Sequence, residues 1–316
     1  MLLSRRELFA ISATGALEAQ PVRVREASGV FRSGQSLLIA DDSTSGEYFK
    51  LTLPVKPARF MLLNDLRPQR MPFRQAGLAI DLEAIGILND GRTVALSERL
   101  RSLVGDAGII AEYDSLLSEV GKRGLEGLAI RPRPNNGSRI AVLWEGGYPD
   151  QQSLPGQLRR ERTPLVPLVL VHDLPAKGRV GRVRLSDAVA TLELQVPKPA
   201  GDGPTAQRFR APDFIWAKIG ADWGFLALIS SQDAADKPTF QHHWLQRFDM
   251  QGRPAGDPLD ISAQAPAAHR DANWEGLSWF EPGKSVIVVH ESGLKLEPAA
   301  LVIELPQAWR FNSLVP

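Results

Sequence analysis

Apolar residues in this chain fall in short runs that stop abruptly at charged or polar positions, and four of the runs share one spelling. Glu26-Ala-Ser-Gly, Glu83-Ala-Ile-Gly, Glu126-Gly-Leu-Ala and Glu275-Gly-Leu-Ser each lead through a turn into a second apolar run. The turns are Ser33-Gly34, Asp90-Gly91, Asn136-Gly137 and Pro282-Gly283; the second runs end at Asp41-Asp42, Glu98-Arg99, Glu145 and His290-Glu291. Apolar runs this short, bounded by turn residues, predict β-strands, and two joined by a glycine-containing turn predict an antiparallel hairpin. A hairpin repeated along a chain predicts a radial array. The pattern therefore predicts an all-β protein with a β-propeller fold.

A fifth, looser copy begins at Asp213-Phe-Ile-Trp and returns through Gly224-Phe-Leu-Ala-Leu. The interval between Glu126 and Asp213 is the longest, close to two repeats, and holds apolar runs at residues 165–171 and 188–196. The spacing thus predicts six blades, with five or seven as alternatives. Residues 48–53, 58–63 and 243–248 read as outer strands, and 111–121 as a short helix or a strand extension. Residues 300–305 read as the closing strand, pairing with 21–24 to hide two exposed edges. The repeats leave no linker, so residues 20–316 are expected to form one propeller domain.

In an antiparallel hairpin the first strand's start and the second strand's end share one edge, which pairs Glu26 with Asp41/Asp42, Glu83 with Glu98, Glu126 with Glu145 and Glu275 with Glu291. Arranged around an axis, these pairs converge. Converging carboxylates are costly unless a cation or proton neutralises them, which makes Glu26, Glu83, Glu126 and Glu275 candidate metal ligands. Glu98, Glu145, His290 and Glu291 are candidate proton shuttles, since a histidine among carboxylates is held near neutrality or above. Arg99, Lys122 and Arg123 would suit a phosphate or carboxylate ligand. The alternative is structural: each carboxylate accepts backbone amides of the next blade, and the charged groups form ion pairs.

Composition narrows the chemistry. With no cysteine, disulfides, thiolate nucleophiles and cysteine-held metals are excluded, and the 5 scattered histidines form no zinc motif, so calcium is the expected cofactor. A net charge of +1 without basic runs argues against nucleic acid. Ser4-Arg5-Arg6-Glu7-Leu8-Phe9 and the mildly apolar stretch after it read as a twin-arginine export signal over residues 1–19, placing the mature protein in the periplasm or beyond. A cytoplasmic chain with an accidental arginine pair is the alternative. No segment reaches the ~18 to 20 apolar residues of a membrane helix, so stable membrane insertion is not expected.

Gly124-Leu-Glu-Gly-Leu-Ala-Ile130 with Ile140-Ala-Val-Leu-Trp-Glu-Gly146, and Asp81-Leu-Glu-Ala-Ile85 with Leu96-Ser-Glu-Arg99, resemble the phytase-like propeller family described by "esterase-like activity of phytase". Glu26-Ala-Ser-Gly also resembles the related exported propellers under quorum-regulator control. The resemblance implies an exported propeller and a calcium-dependent esterase or phosphoesterase acting on a small-molecule ester. The aspartate-rich signatures of true propeller phytases are absent from the sequence, which argues against phytate itself. The alternative function is a non-enzymatic periplasmic propeller that binds a ligand or protein. Trp144, Trp223, Trp274 and Trp279, in or beside the repeats, read as blade packing rather than a sugar platform.

Overall fold

Leu37 and Ile39 pack toward one neighbouring sheet, while Leu38 and Ala40, between and after them, pack toward another. A strand buried on both faces needs an unbroken apolar run, which is why the second strand of each hairpin carries one. A computed structural model describes residues 22–78, 80–113, 124–144, 167–184, 188–196, 208–232, 240–291 and 296–312. In it the alternation closes a ring of five sheets, a five-bladed β-propeller.

The first blade contains β1 (Ala27–Ser33), β2 (Ser36–Asp41), β3 (Glu47–Thr52) and β5 (Gln69–Pro72). The second contains β6 (Leu82–Ile87), β7 (Thr93–Ser97), β8 (Ser102–Gly105) and β9 (Gly108–Tyr113). The third contains β10 (Leu125–Pro132), β11 (Ser138–Trp144), β12 (Leu168–Leu174) and β14 (Ala190–Glu193). Between the last two strands, β13 (Gly181–Val183) leaves to run parallel to β9 in the second blade. The fourth contains β15 (Arg208–Ile219), β16 (Asp222–Gln232), β17 (Phe240–Asp249) and β18 (Leu259–Asp260). The fifth contains β19 (Trp274–Glu281), β20 (Ser285–His290), β21 (Ala299–Glu304) and β4 (Phe60–Leu62).

Five hydrophobic clusters fill the five interfaces between successive blades, so the core is a ring of sandwiches rather than one centre. The innermost strands β1, β6, β10, β15 and β19 contact one another in that order around the axis.

Two expectations are corrected. The apolar runs at 165–171 and 188–196 contribute β12 and β14, the outer strands of the third blade, so the expected sixth blade is absent and the count is five. The long interval reflects connections between strands of one blade. The closing strand β21 pairs with β20 and with β4, not with residues 21–24. Val24 instead exchanges hydrogen bonds with the Asn64 side chain, just past β4. The export signal, Lys122, Arg123 and Glu145 lie outside the described residues, as do residues 114–121 of the expected helix; residues 111–113 extend β9. Among the described residues no helix is long and apolar enough to cross a membrane.

Candidate functional site

Each inner hairpin bulges at the start of its first strand. Pairing shifts between Ala27 and Gly29, Leu82 and Ala84, Leu125 and Gly127, Arg210 and Asp213, and Trp274 and Gly276. The extra residue is Ser28, Glu83, Glu126 or Glu275, with residues 211 and 212 in the fourth blade. A bulge takes one side chain out of the alternation and re-aims it, here at the axial end of the strand. The residue after the bulge is small where inner strands touch. A Cβ on Gly29 would lie 2.6 Å from Ala84 Cα, and one on Gly127 would lie 2.9 Å from Phe214 Cδ1.

This register corrects the repeat in two blades. Ser28, not Glu26, occupies the bulge of the first blade, and Glu26 stands two residues earlier. In the fourth blade Asp213 follows the bulge, where the other blades hold glycine or alanine. Its carboxylate therefore points between the inner strands. Oδ2 accepts the Leu277 amide at 2.6 Å, and Oδ1 accepts those of Phe214 at 2.8 Å and Leu128 at 3.4 Å. Burial pushes the Asp213 pKa well above the usual carboxylate range, opposed by the three amides. At this position the structural alternative holds, since the carboxylate joins three blades.

Glu26 belongs to another set, the residue just ahead of the first strand, whose carbonyl accepts the amide of the residue just after the second. Asp42 donates to Glu26 O at 3.1 Å, Glu98 to Asp81 O at 2.9 Å and Glu291 to Asn273 O at 3.4 Å. Their side chains meet at the acidic end. Asp42 and Glu26 are paired through their carboxyl groups, and burial, then Glu26, Glu275 and Asp41, raise the Asp42 pKa to about 9. Asp42 thus holds a proton at neutral pH. Beneath it Asp41, fully buried, accepts the amides of Arg25 at 2.7 Å and Ser43 at 3.1 Å, which fixes the turn after β2.

Asp81, Glu83 and Glu98 bring one oxygen each within 4.8 Å of one another. Glu83 is 8% exposed. Its pKa is driven well above the usual range by burial first, and then by Glu126, Glu275, Asp42 and Glu98. Gly124 leaves room for Glu98, whose side chain a Cβ there would overlap. Calcium takes oxygens at about 2.3–2.6 Å, so two ligand oxygens of one ion stand at most about 5 Å apart, and this trio fits that limit. The donor set, all carboxylate, suits a hard cation.

In the fifth blade the carboxylates are already answered. Glu275 pairs with Arg210 at 2.6 Å and accepts the Asn273 amide, which also donates to Glu291 at 2.7 Å. Arg210 and Asn273 are the residues that the repeat alone does not reveal. His290 is fully buried against Trp274, with Nδ1 facing the Glu291 carbonyl at 2.6 Å and Nε2 facing His269 Nδ1 at 2.8 Å. A carbonyl only accepts, so Nδ1 carries the proton, and burial lowers the His290 pKa to about 4. It is neutral at pH 7, against the expectation that nearby carboxylates would raise it. Arg99 is exposed on the turn after β7, whereas Arg101, two residues on, is half-buried and interacts with Glu98. Glu126 contributes to the charge on Glu83. The structure thus gathers Glu26, Glu83, Glu98, Glu126 and Glu275 at one end of the axis and adds Asp42 and Asp81.

The chain is similar to several solved structures at low identity. A streptogramin B lyase structure is 9% identical over 93% of this chain and 86% of its own, with a TM-score of 0.37. Virginiamycin B lyase from Staphylococcus aureus is 11% identical over 89% and 84%, with a TM-score of 0.36. A structure from work on GH130 mannoside phosphorylases and glycoside hydrolases is 10% identical over 92% and 88%, with a TM-score of 0.47. No protein-family model and no curated protein matches the chain. The phytase-like resemblance therefore rests on the sequence motifs alone, and the chemistry of the site on its own geometry.

Proposed function

We propose that the acidic end of the axis is the active site of a divalent-cation-dependent ester or phosphoester hydrolase. The observation that carries this reading is the approach of Asp81, Glu83 and Glu98 within 4.8 Å, with Glu83 buried. A buried carboxylate surrounded by others is costly unless a proton or cation offsets the charge. These three residues would hold the ion, with Glu126 adding to the field. When bound, a divalent ion polarises an ester and acidifies water.

The remaining groups fall into place around them. Asp42, protonated at neutral pH through burial and its pairing with Glu26, is a proton donor for a leaving oxygen. Arg210, 2.6 Å from Glu275, orients that carboxylate. His290 has no role in proton transfer in this scheme. The twin-arginine-like Arg5-Arg6 supports placing the reaction outside the cytoplasm.

Hydrolysis of p-nitrophenyl acetate and p-nitrophenyl phosphate, with calcium and with chelator, tests the reading. Turnover should require calcium and be lost in Glu83→Gln and Glu98→Gln. Turnover indifferent to chelator, or retained in both variants, removes the reading.

A further inference from the structure

The inner strands run from the acidic end toward their hairpin turns, and around the axis at the turn end they enclose a cavity of about 990 Å³. All five blades line it. Val30, Ile85, Leu128, Ile215 and Leu277 supply its apolar wall, and Trp216, Trp279 and Phe280 stand nearer the turns. Leu128 and Leu277 are also the residues whose amides bind Asp213, so that carboxylate sits between the cavity and the acidic end.

Two features give the cavity a chemical preference. The indoles are fixed and electrostatically spent: Trp279 Nε1 donates to Trp216 O at 3.1 Å, and Trp216 Nε1 to Ala129 O at 3.2 Å. They offer rigid apolar surface at little ordering cost. The charge in the wall is unanswered. Arg131 lies over Trp216 and Trp223, 4.8 and 4.6 Å from their ring centres, and its Nε is buried without a hydrogen-bond partner. Its charged neighbours are Arg133 and Arg139, both claimed by Asp173, the latter at 2.7 Å. Burial and those two cations lower the Arg131 pKa to about 10, which leaves it charged at pH 7. Of the other charged residues in the lining, Arg32 stacks on Phe280 and donates to the Gly34 carbonyl, while Glu281 faces Lys284 at 3.8 Å.

We propose that this cavity is a ligand site, separate from the acidic end, for a flat apolar molecule bearing one anionic group, with Arg131 binding the anion and Trp216 and Trp279 packing the body. Its volume matches that of small-molecule sites, which pair an apolar lining with a few placed polar groups. A guanidinium stacked on aromatic faces keeps its edge free for a carboxylate, sulfonate or phosphate.

The matched probes 1-anilinonaphthalene-8-sulfonate and N-phenyl-1-naphthylamine share one body and differ by the sulfonate. The full chain should bind the sulfonate at least tenfold more tightly, read by probe fluorescence and quenching of tryptophan emission, in calcium and in chelator alike. Arg131→Gln should weaken the sulfonate about tenfold or more and leave the neutral probe within about twofold. In the unaltered protein 2-naphthoate should displace the sulfonate probe and 2-naphthylmethanol should not, a measurement that stands even if the variant fails to fold. Equal affinity for both probes, equal displacement by both naphthalenes, or an Arg131→Gln protein that keeps its sulfonate affinity overturns the proposal. Because binding is read in chelator as well, its failure is separate from failure of the hydrolase reading.

Discussion

The Asp213 carboxylate of one blade receives the Leu277 amide of the next at 2.6 Å, a contact made across the axis-facing backbone rather than within a sheet. Removing it leaves the buried amides of Leu277, Leu128 and Phe214 to find other acceptors. Asp213→Ala should therefore lose about 2–4 kcal/mol of stability, and Asp213→Asn less, since the amide oxygen still accepts. Urea denaturation of the three proteins checks the order. An Asp213→Ala protein as stable as the original would mean the carboxylate does not join the blades.

Glu83 has the opposite character. With Asp81 and Glu98 oxygens within 4.8 Å and burial raising its pKa, it is a liability in the absence of a cation. Glu83→Gln should raise the melting temperature in chelator and shrink the rise that calcium produces in the unaltered protein. Differential scanning calorimetry with and without millimolar calcium gives both quantities. An unaltered melting temperature that ignores calcium would count against a cation at this end.

The pH dependence of stability should be a dome. Asp42 titrates at about 9 in the folded chain against an ordinary value of 3.8, so the native state retains a proton that the unfolded chain releases. Stability therefore falls as pH rises between those values. His172 and His290 act the other way, since burial lowers each to about 4 from 6.5, and the unfolded chain takes up protons first as pH drops below 6.5. Above 6.5 only the carboxyl groups contribute, so melting temperature in chelator should fall from there as pH rises. Asp42→Asn should make that alkaline flank shallower without abolishing it, since burial also raises Glu83 and Asp213, and should leave the acid flank in place.

Gly29 is a test of how closely the inner strands approach. A Cβ there would lie 2.6 Å from both Ala84 Cα and Glu83 O, and neither backbone atom can swing aside. Gly29→Ala should cost about 1–3 kcal/mol by forcing the first two blades apart. Gly34→Ala meets no atom within 4 Å and carries only the strain of a φ of +59°, so its cost should be about 1 kcal/mol. A Gly29→Ala protein as stable as the original would contradict the packing at Gly29.

The propeller and most of its acidic end are legible in the sequence because both faces of each second strand are buried, which writes unbroken apolar runs between turn residues. Blade count is less legible, because the third blade's outer strands β12 and β14 lie far from its hairpin and look like a separate unit. The roles of Glu26 and Asp213 are misread from spelling because a bulge shifts register by one or two residues without altering composition. A glycine or alanine after the bulge marks the true register, and Gly29, not Ser28, is the residue that aligns with Ala84, Gly127 and Gly276. Asn273 stands where Glu26 and Asp81 stand in their blades, but neither it nor Arg210 repeats a residue type, so only folding shows their approach to Glu275. Trp144 and Trp274 are packed between blades, as expected, and Trp279 packs against the core of the fourth and fifth blades while also lining the cavity.

The strand that completes the last blade is donated by β4, which lies between the third and fourth strands of the first blade. Arg59 O and Leu63 N, on either side of Met61, meet Val302 N and Pro298 O, and Met61 faces Ala300. During synthesis β4 must therefore wait, with its edge bare, until nearly the whole chain has emerged. Fastening it is a late event between partners distant in sequence, which slows assembly and makes the final step resemble the snapping of a bracelet clasp. Val24 braces the clasp from outside the sheet, through Asn64 and its packing beside Met61 and Leu63.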